Sequence, residues 1–247
     1  MRRNQWSVKR VNAETSHDIK LELDVRCQRL IDRTLRGAFP ESSLLGEEGV
    51  SGTPGSEYRW VVDPIDGTVN FAYGIPHASV SIALQMRTEE VGARNKGAAA
   101  EPYQTVLGVV CDPFTDELWS AIRGQAARLN GRVIHASRRR KLADCVVSIG
   151  FAKSRTSLER ALPYFIWLAR RVRKIRMLGS AALGLTYVAT GRLDAYVERG
   201  IYLWDIAAGG LIIECAGGQF WREPTENGKY RMIASNGLVH RTLPIPK

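Results

Sequence analysis

The segment Trp-Val-Val-Asp-Pro-Ile-Asp-Gly-Thr-Val-Asn-Phe, residues 60 to 71, constrains this 247-residue chain more than any other. The apolar run from Tyr58 to Val62 reads as a short buried strand that delivers Asp63 at its end, with a polar turn next. Pro64 forbids a regular helix between Asp63 and Asp66 and sets a turn instead. Two carboxylates carried by such a turn can converge on one hard cation, and the carbonyl of Ile65 can join them, because Mg²⁺ takes oxygen ligands. Gly67 and Thr68 then precede a predicted helix start, where backbone amides and the positive dipole end suit a phosphate. An Asp-Pro-x-Asp-Gly string also serves ordinary surface turns. What weighs against that plain reading is the acidic pair Glu47 and Glu48 upstream and a third acid, Asp205, opening an otherwise apolar helix far downstream. Taken alone, Asp205 reads equally well as a helix N-cap.

The rest of the pattern alternates helix and strand. Leu23, Cys27, Leu30, Ile31 and Leu35 recur at helical spacing until Gly37 and Pro40, and a Gly-, Ser- and Pro-rich loop from Pro40 to Ser56 carries Glu47. Strands are predicted at Ala78 to Met86, Val106 to Cys111, Leu118 to Ile122 and Leu193 to Val197, with a flexible turn from Ala93 to Gln104. Helices are predicted near Leu158 to Arg171, from Ser180 to Thr190 and from Trp204 to Cys215. The class is mixed α/β, in layers.

Composition narrows the function. With 45% hydrophobic residues the chain can bury a sizeable core, and no apolar run of about 18 residues marks a membrane span. The opening residues are basic but lack an apolar stretch behind them, so a cytoplasmic protein is expected. Cys27, Cys111, Cys145 and Cys215 are far apart and form no Cys-x-x-Cys pair, which fits buried reduced thiols rather than zinc ligands. The four histidines are equally scattered, leaving little for zinc or histidine-nucleophile chemistry. Net charge is +10, with basic clusters at residues 138–141 and 170–176. That field attracts anions, and a solvated basic face is favoured over nucleic-acid binding because the clusters lack interleaved aromatics. Other phosphatase chemistries fit badly. The two aspartates are three apart where a haloacid dehalogenase needs two, and the Cys27 to Arg33 spacing of a cysteine phosphatase falls inside an amphipathic helix without glycines.

In order along the chain, Leu-Gly-Glu-Glu-Gly at residues 45–49, the 60–71 segment, Met-Leu-Gly-Ser-Ala-Ala-Leu-Gly at 177–184 and residues 194–218 resemble the inositol monophosphatase family of metal-dependent, lithium-sensitive phosphatases. The resemblance covers about residues 18–236. It implies a layered α/β/α/β/α sandwich, a homodimer, and two or three Mg²⁺ ions. It also implies one domain over residues 1–247, whose part at about 18–135 binds metal and whose part at about 140–240 binds substrate. By the same resemblance Glu47, Asp63 and the Ile65 carbonyl hold one ion, and Asp66 and Asp205, again with Asp63, hold a second. Thr68 orients a water with help from Asp24, and the amides of Gly67 and Thr68 hold the phosphate. Gly179, Ser180, Ala181, Glu198 and Asp205 face the alcohol of the substrate, a small phosphorylated metabolite. Inositol monophosphate is the favoured ester, with histidinol phosphate next and fructose 1,6-bisphosphate or a 3′-phosphorylated nucleotide behind. A regulatory RNA- or protein-binding role through the basic surface is the reading from a different class. The chain departs from the family in having only 23 residues ahead of Asp24, Tyr202 where many relatives carry histidine, and no clear counterpart of an upstream basic residue near the metals.

Overall fold

The computed structural model describes residues 11–14, 19–88, 102–151 and 155–246. The first half of the chain gives β1 (Val11–Glu14), β2 (Ile19–Leu21), α1 (Glu22–Ala38), β3 (Ser43–Gly46), β4 (Gly49–Gly52), β5 (Tyr58–Asp66), α2 (Thr68–Ala72) and β6 (Ser79–Arg87). Then come β7 (Tyr103–Asp112), β8 (Glu117–Ile122) and the short β9 (Arg128–Leu129) and β10 (Arg132–Val133). The second half gives β11 (Val146–Phe151), α3 (Arg155–Ala169), β12 (Lys174–Arg176), α4 (Ala181–Ala189), β13 (Ala195–Ile201), α5 (Leu203–Cys215), β14 (Gln219–Pro224) and β15 (Tyr230–Ser235).

Eight strands form one sheet in the order β10-β9-β8-β7-β6-β5-β3-β4, and five form a second in the order β12-β11-β13-β15-β14; β1 and β2 pair with each other. Helices α4 and α5 lie between the two large sheets. Their side chains share one core with Val61, Ala83, Val110 and Trp119 of the first sheet and with Tyr196, Met232 and Ala234 of the second. A helix enclosed on all sides is apolar all round, which is why Ile206, Ala208, Leu211, Ile212 and Ile213 of α5 are all buried. The outer face of the first sheet takes α1, whose Ile31 and Leu35 pack on Leu44, Trp60 and Val62. The outer face of the second takes α3, whose Leu168 packs with Val147, Val197 and Ile233. The order is therefore α/β/α/β/α, the layered sandwich that the resemblance implies.

Three readings of the sequence need correction. The stretch from Pro40 to Ser56 is not simply a loop, since β3 and β4 pair as an antiparallel hairpin with Glu47 at its turn. Short polar strands such as Gly49–Gly52 carry too little apolar alternation to be seen by periodicity. Strand β5 does not stop at Asp63 but runs on to Asp66. The predicted strand at Leu193 to Val197 begins at Ala195 and extends to Ile201. Most of the turn expected from Ala93 to Gln104 lies outside the described residues, while Tyr103 and Gln104 open β7. Among the described residues, no helix is long and apolar enough to cross a membrane.

Candidate active site

Asp63 and Asp66 reach the same side of β5 by an irregularity in pairing. Side chains of a strand alternate between faces, so residues three apart ordinarily point in opposite directions. Here Asp63 stands opposite Ser81 of β6 but Asp66 stands opposite Ser79, so β5 holds one more residue than its partner between the two pairs. This bulge contains Pro64, which has no amide to contribute to the ladder, and it turns both carboxylates towards α4 and α5. The Asp63 side chain also closes the turn by accepting the Ile65 amide at 3.0 Å.

Asp66 is then held by α4. It accepts the hydroxyl of Ser180 in a short hydrogen bond, the amide of Ala181 at 3.0 Å and the amide of Ala182 at 2.8 Å. These are first-turn amides of a helix, whose positive dipole end favours a carboxylate. Ser180 is the N-cap of α4 and accepts the Leu183 amide at 3.4 Å, so one hydroxyl both caps the helix and orients Asp66. Asp205 enters from α5. It is the third residue of the helix, not its N-cap, and it reaches back to accept the Tyr202 amide at 2.8 Å.

The three aspartates meet: one carboxylate oxygen from each of Asp63, Asp66 and Asp205 lies within 4.8 Å of the others. Asp63 and Asp66 are buried and Asp205 is partly exposed. Burial first, and then the charges of Glu47, Asp66 and Asp205, push the Asp63 carboxyl well above the usual carboxylate range. Asp205 is likewise raised well above it, by burial and then by Asp66. Asp66 is raised by burial even though Ser180 and the two α4 amides pull it down. Glu47, half-buried at the β3–β4 turn, is near enough for its charge to act on both Asp63 and Asp205. A cluster of hard oxygen donors that repel one another suits a divalent cation, which removes the repulsion and favours the ionised forms. The donor set therefore fits Mg²⁺, and the Ile65 carbonyl beside it accepts the Thr68 hydroxyl at 2.9 Å with a lone pair to spare.

Gly67 has φ +90°, and a Cβ there would stand 3.0 Å from the His77 carbonyl oxygen and 3.1 Å from that of Gly179. Only glycine fits this turn into α2. Asn70 of α2 donates to the carbonyls of His77 and Leu178 at 2.9 and 2.8 Å, which ties the Gly67 turn to the segment leading into α4. Asp24 is buried in the first turn of α1, between Leu23 and Cys27, which pack against Ile65 and Phe71.

A cavity of about 410 Å³ opens beside the acids, lined by Asp66, Asp205, Gly179, Ser180, Ala181 and Glu198 together with residues of β11 and β13. Every residue expected to face the alcohol thus borders one space. Burial raises the Glu198 carboxyl to about 7, opposed by the hydroxyl of Tyr196, which donates to it in a short hydrogen bond. Sequence reasoning missed Asn70, Ser148, Gly150 and Tyr196. Asn70 lay inside the quoted 60–71 segment, whereas Ser148 and Gly150 come from β11, a strand that sequence reasoning did not predict. The basic clusters are partly engaged in ion pairs: Arg139 pairs with buried Asp194 at 2.9 Å and, at the surface, Arg173 with Asp144 at 3.0 Å.

The inositol monophosphatase family model matches residues 1–243. The chain belongs to the inositol monophosphatase family. A Rhizobium meliloti inositol-1-monophosphatase is 40% identical over 214 residues, which is 85% of this chain and 74% of the relative. A Pasteurella multocida Nus factor SuhB is 37% identical over 228 residues, 92% of this chain and 79% of the relative. Among solved structures, the extragenic suppressor protein suhB of Bartonella henselae superimposes with a TM-score of 0.83 at 32% identity, covering 98% of this chain and 90% of that one. Membership of a phosphatase family and the layered fold stand together with an acidic cluster able to take a metal.

Proposed function

We propose that this chain is a Mg²⁺-dependent phosphatase that hydrolyses a small phosphate monoester, inositol monophosphate being the favoured substrate. The single observation that carries the reading is the meeting of Asp63, Asp66 and Asp205, drawn from two distant segments, beside a cavity of substrate size. Within one functional unit, the part at about 18–135 supplies Asp24, Glu47, Asp63, Ile65, Asp66 and Thr68, and the part at about 140–240 supplies Asp205 and the alcohol-facing residues.

Bound at Glu47, Asp63, the Ile65 carbonyl, Asp66 and Asp205, Mg²⁺ would acidify water and neutralise charge on the attacked ester. The protein supplies position. Thr68 places its proton on the Ile65 carbonyl and so turns its own lone pairs outward, ready to accept from the attacking water. Asp24, buried on α1, is the acid assigned to help Thr68 orient that water. The amides of Gly67 and Thr68 hold the phosphate in the turn that only glycine can make. Glu198, Gly179, Ser180 and Ala181 border the space left for the alcohol. No residue has to form a covalent phosphoenzyme.

Glu198 favours a polyhydroxylated alcohol and would equally accept an amine, so histidinol phosphate stands second, ahead of fructose 1,6-bisphosphate and a 3′-phosphorylated nucleotide. Phosphate release from a panel of these esters, with Mg²⁺ and with Li⁺ added, tests the proposal. Mg²⁺-dependent release inhibited by Li⁺ supports it, and no release from any ester rejects it. A regulatory role is the second reading, favoured by the net charge of +10 and by the name of the Pasteurella relative. An RNA titration at two salt concentrations measures it directly.

A further inference from the structure

We infer that Tyr196 and Gly150 are positioning residues that hold the Glu198 carboxylate in the one placement from which it selects a polyhydroxylated alcohol. The inference rests on the phosphatase reading and deepens it, because neither residue is among the acids that hold the metal. Strands β11 and β13 run parallel, and Gly150 stands directly opposite Glu198 in the register. A Cβ on Gly150 would fall 2.2 Å from Oε2, 2.4 Å from Cδ and 2.7 Å from Oε1 of Glu198. All three near atoms belong to the carboxyl group, which therefore lies against the bare backbone of β11. Any side chain at position 150 would lift that carboxyl into the cavity.

Tyr196 fixes the group from the other direction. It precedes Glu198 by two residues, so both side chains leave the same face of β13. The Tyr196 ring is buried at 5% exposure and its hydroxyl donates to Glu198 Oε2. The ring packs on Gly184 of α4, where an added Cβ would meet ring carbons at 3.0 and 3.1 Å. Helix α4 is the element whose first amides hold Asp66. One helix thus aligns an acid of the metal cluster directly and, through the Tyr196 ring, the acid on the alcohol side. With one lone pair of Oε2 taken by the tyrosine, Oε1 is the freer acceptor for hydroxyls of the substrate. The tyrosine hydroxyl also favours the ionised carboxyl and so opposes the effect of burial.

The test compares two esters on the Mg²⁺-loaded full chain: myo-inositol 1-phosphate, whose alcohol carries neighbouring hydroxyls, and p-nitrophenyl phosphate, whose alcohol carries none. The readout is preference, the ratio of kcat/KM for the first over the second. In Tyr196→Phe the ratio falls about tenfold or more, the scale for losing a hydrogen bond to a charged group, chiefly through a higher KM for the inositol ester. Gly150→Ala gives the same pattern by displacing the carboxyl, and serves if the tyrosine variant folds poorly. Tyr196→Phe combined with Glu198→Gln loses no more preference than Glu198→Gln alone. A ratio kept within about twofold in both single variants, or additive losses in the double variant, would overturn the inference. Equal loss on both esters also overturns it, because that is what a purely structural role produces. A wild-type chain that cleaves p-nitrophenyl phosphate with no preference for the inositol ester overturns it while leaving the phosphatase reading standing. Inactivity on both esters overturns that reading, and this inference with it.

Discussion

Replacing Asp63 with asparagine should make the metal-free protein more stable while abolishing most of its response to Mg²⁺. Asp63, Asp66 and Asp205 present oxygens within 4.8 Å of one another. Two unit charges at that distance repel by about 3 kcal/mol at an effective dielectric constant near 20. Protonation relieves part of this, so the net gain expected from Asp63→Asn without metal at pH 8 is about 2 kcal/mol. That corresponds to a rise of about 5 °C in Tm for a chain of this size. Asparagine keeps an oxygen to accept the Ile65 amide, so the turn itself survives. The folded pKa of Asp63 is raised, so the folded chain holds the proton more tightly than the unfolded one. The penalty is therefore absent below the ordinary carboxylate pKa and grows as pH rises through the folded value. Wild-type Tm in EDTA should fall from pH 5 to pH 8 and the variant should fall less. At Mg²⁺ about a hundredfold above its Kd, the wild type gains about 2.7 kcal/mol and the variant much less. Turnover in the variant drops at least about a hundredfold, the scale for losing a key electrostatic group. A variant that melts below wild type in EDTA at pH 8, or near-normal turnover at saturating Mg²⁺, refutes the reasoning.

Glu198→Gln should remove a similar pH-dependent cost on the substrate side. With its carboxyl at about 7, Glu198 destabilises the folded chain increasingly between the ordinary glutamate value and pH 7, so the variant should be more stable above pH 7 by up to about 3 kcal/mol, converging with wild type near pH 4 in thermal melts. The same variant should alter substrate preference more than Mg²⁺ dependence, and an unchanged ester panel would contradict that. Gly67→Ala places a side chain at φ +90° and 3.0 Å from the His77 carbonyl, which costs about 2 kcal/mol and lowers Tm by about 5 °C; an unshifted melt would show that the turn can relax. Finally, metal held by Glu47 should order the β3–β4 turn, so cleavage there by a protease is slower in Mg²⁺ than in EDTA; equal rates would count against Glu47 as a ligand.

The sequence declared its acids more readily than the frame that unites them. The helix from Leu23, the strands through Val62, Met86, Cys111 and Ile122, and the apolar helix through Ile212 were legible, because enclosed elements repeat their apolar residues with the period of their geometry. What could not be read was pairing. Strands β12, β14 and β15 are short or mix polar and apolar residues, and three of the eight residues of β3 and β4 are glycine. Tyr196 and Gly150 illustrate the same limit. They are 46 positions apart, and only the parallel register of β11 on β13 brings both to the Glu198 carboxyl.

Local chemistry and global topology meet most tightly at Pro64. Without a bulge, Asp63 and Asp66 would point to opposite faces of β5, one towards α1 and the other towards α5. A metal site built on this strand therefore depends on one residue more than the ladder can pair, and proline, which gives the ladder no amide, is the residue that tolerates being left out. The extra residue carries Asp66 into the first turn of α4, where Ser180, Ala181 and Ala182 offset part of the cost of burying its charge. Asp205 then arrives on α5, packed between the same two sheets. The three acids stand where the strand bulge and two helix N-termini face one another, and a cation placed among them would balance charge that the fold alone leaves in excess.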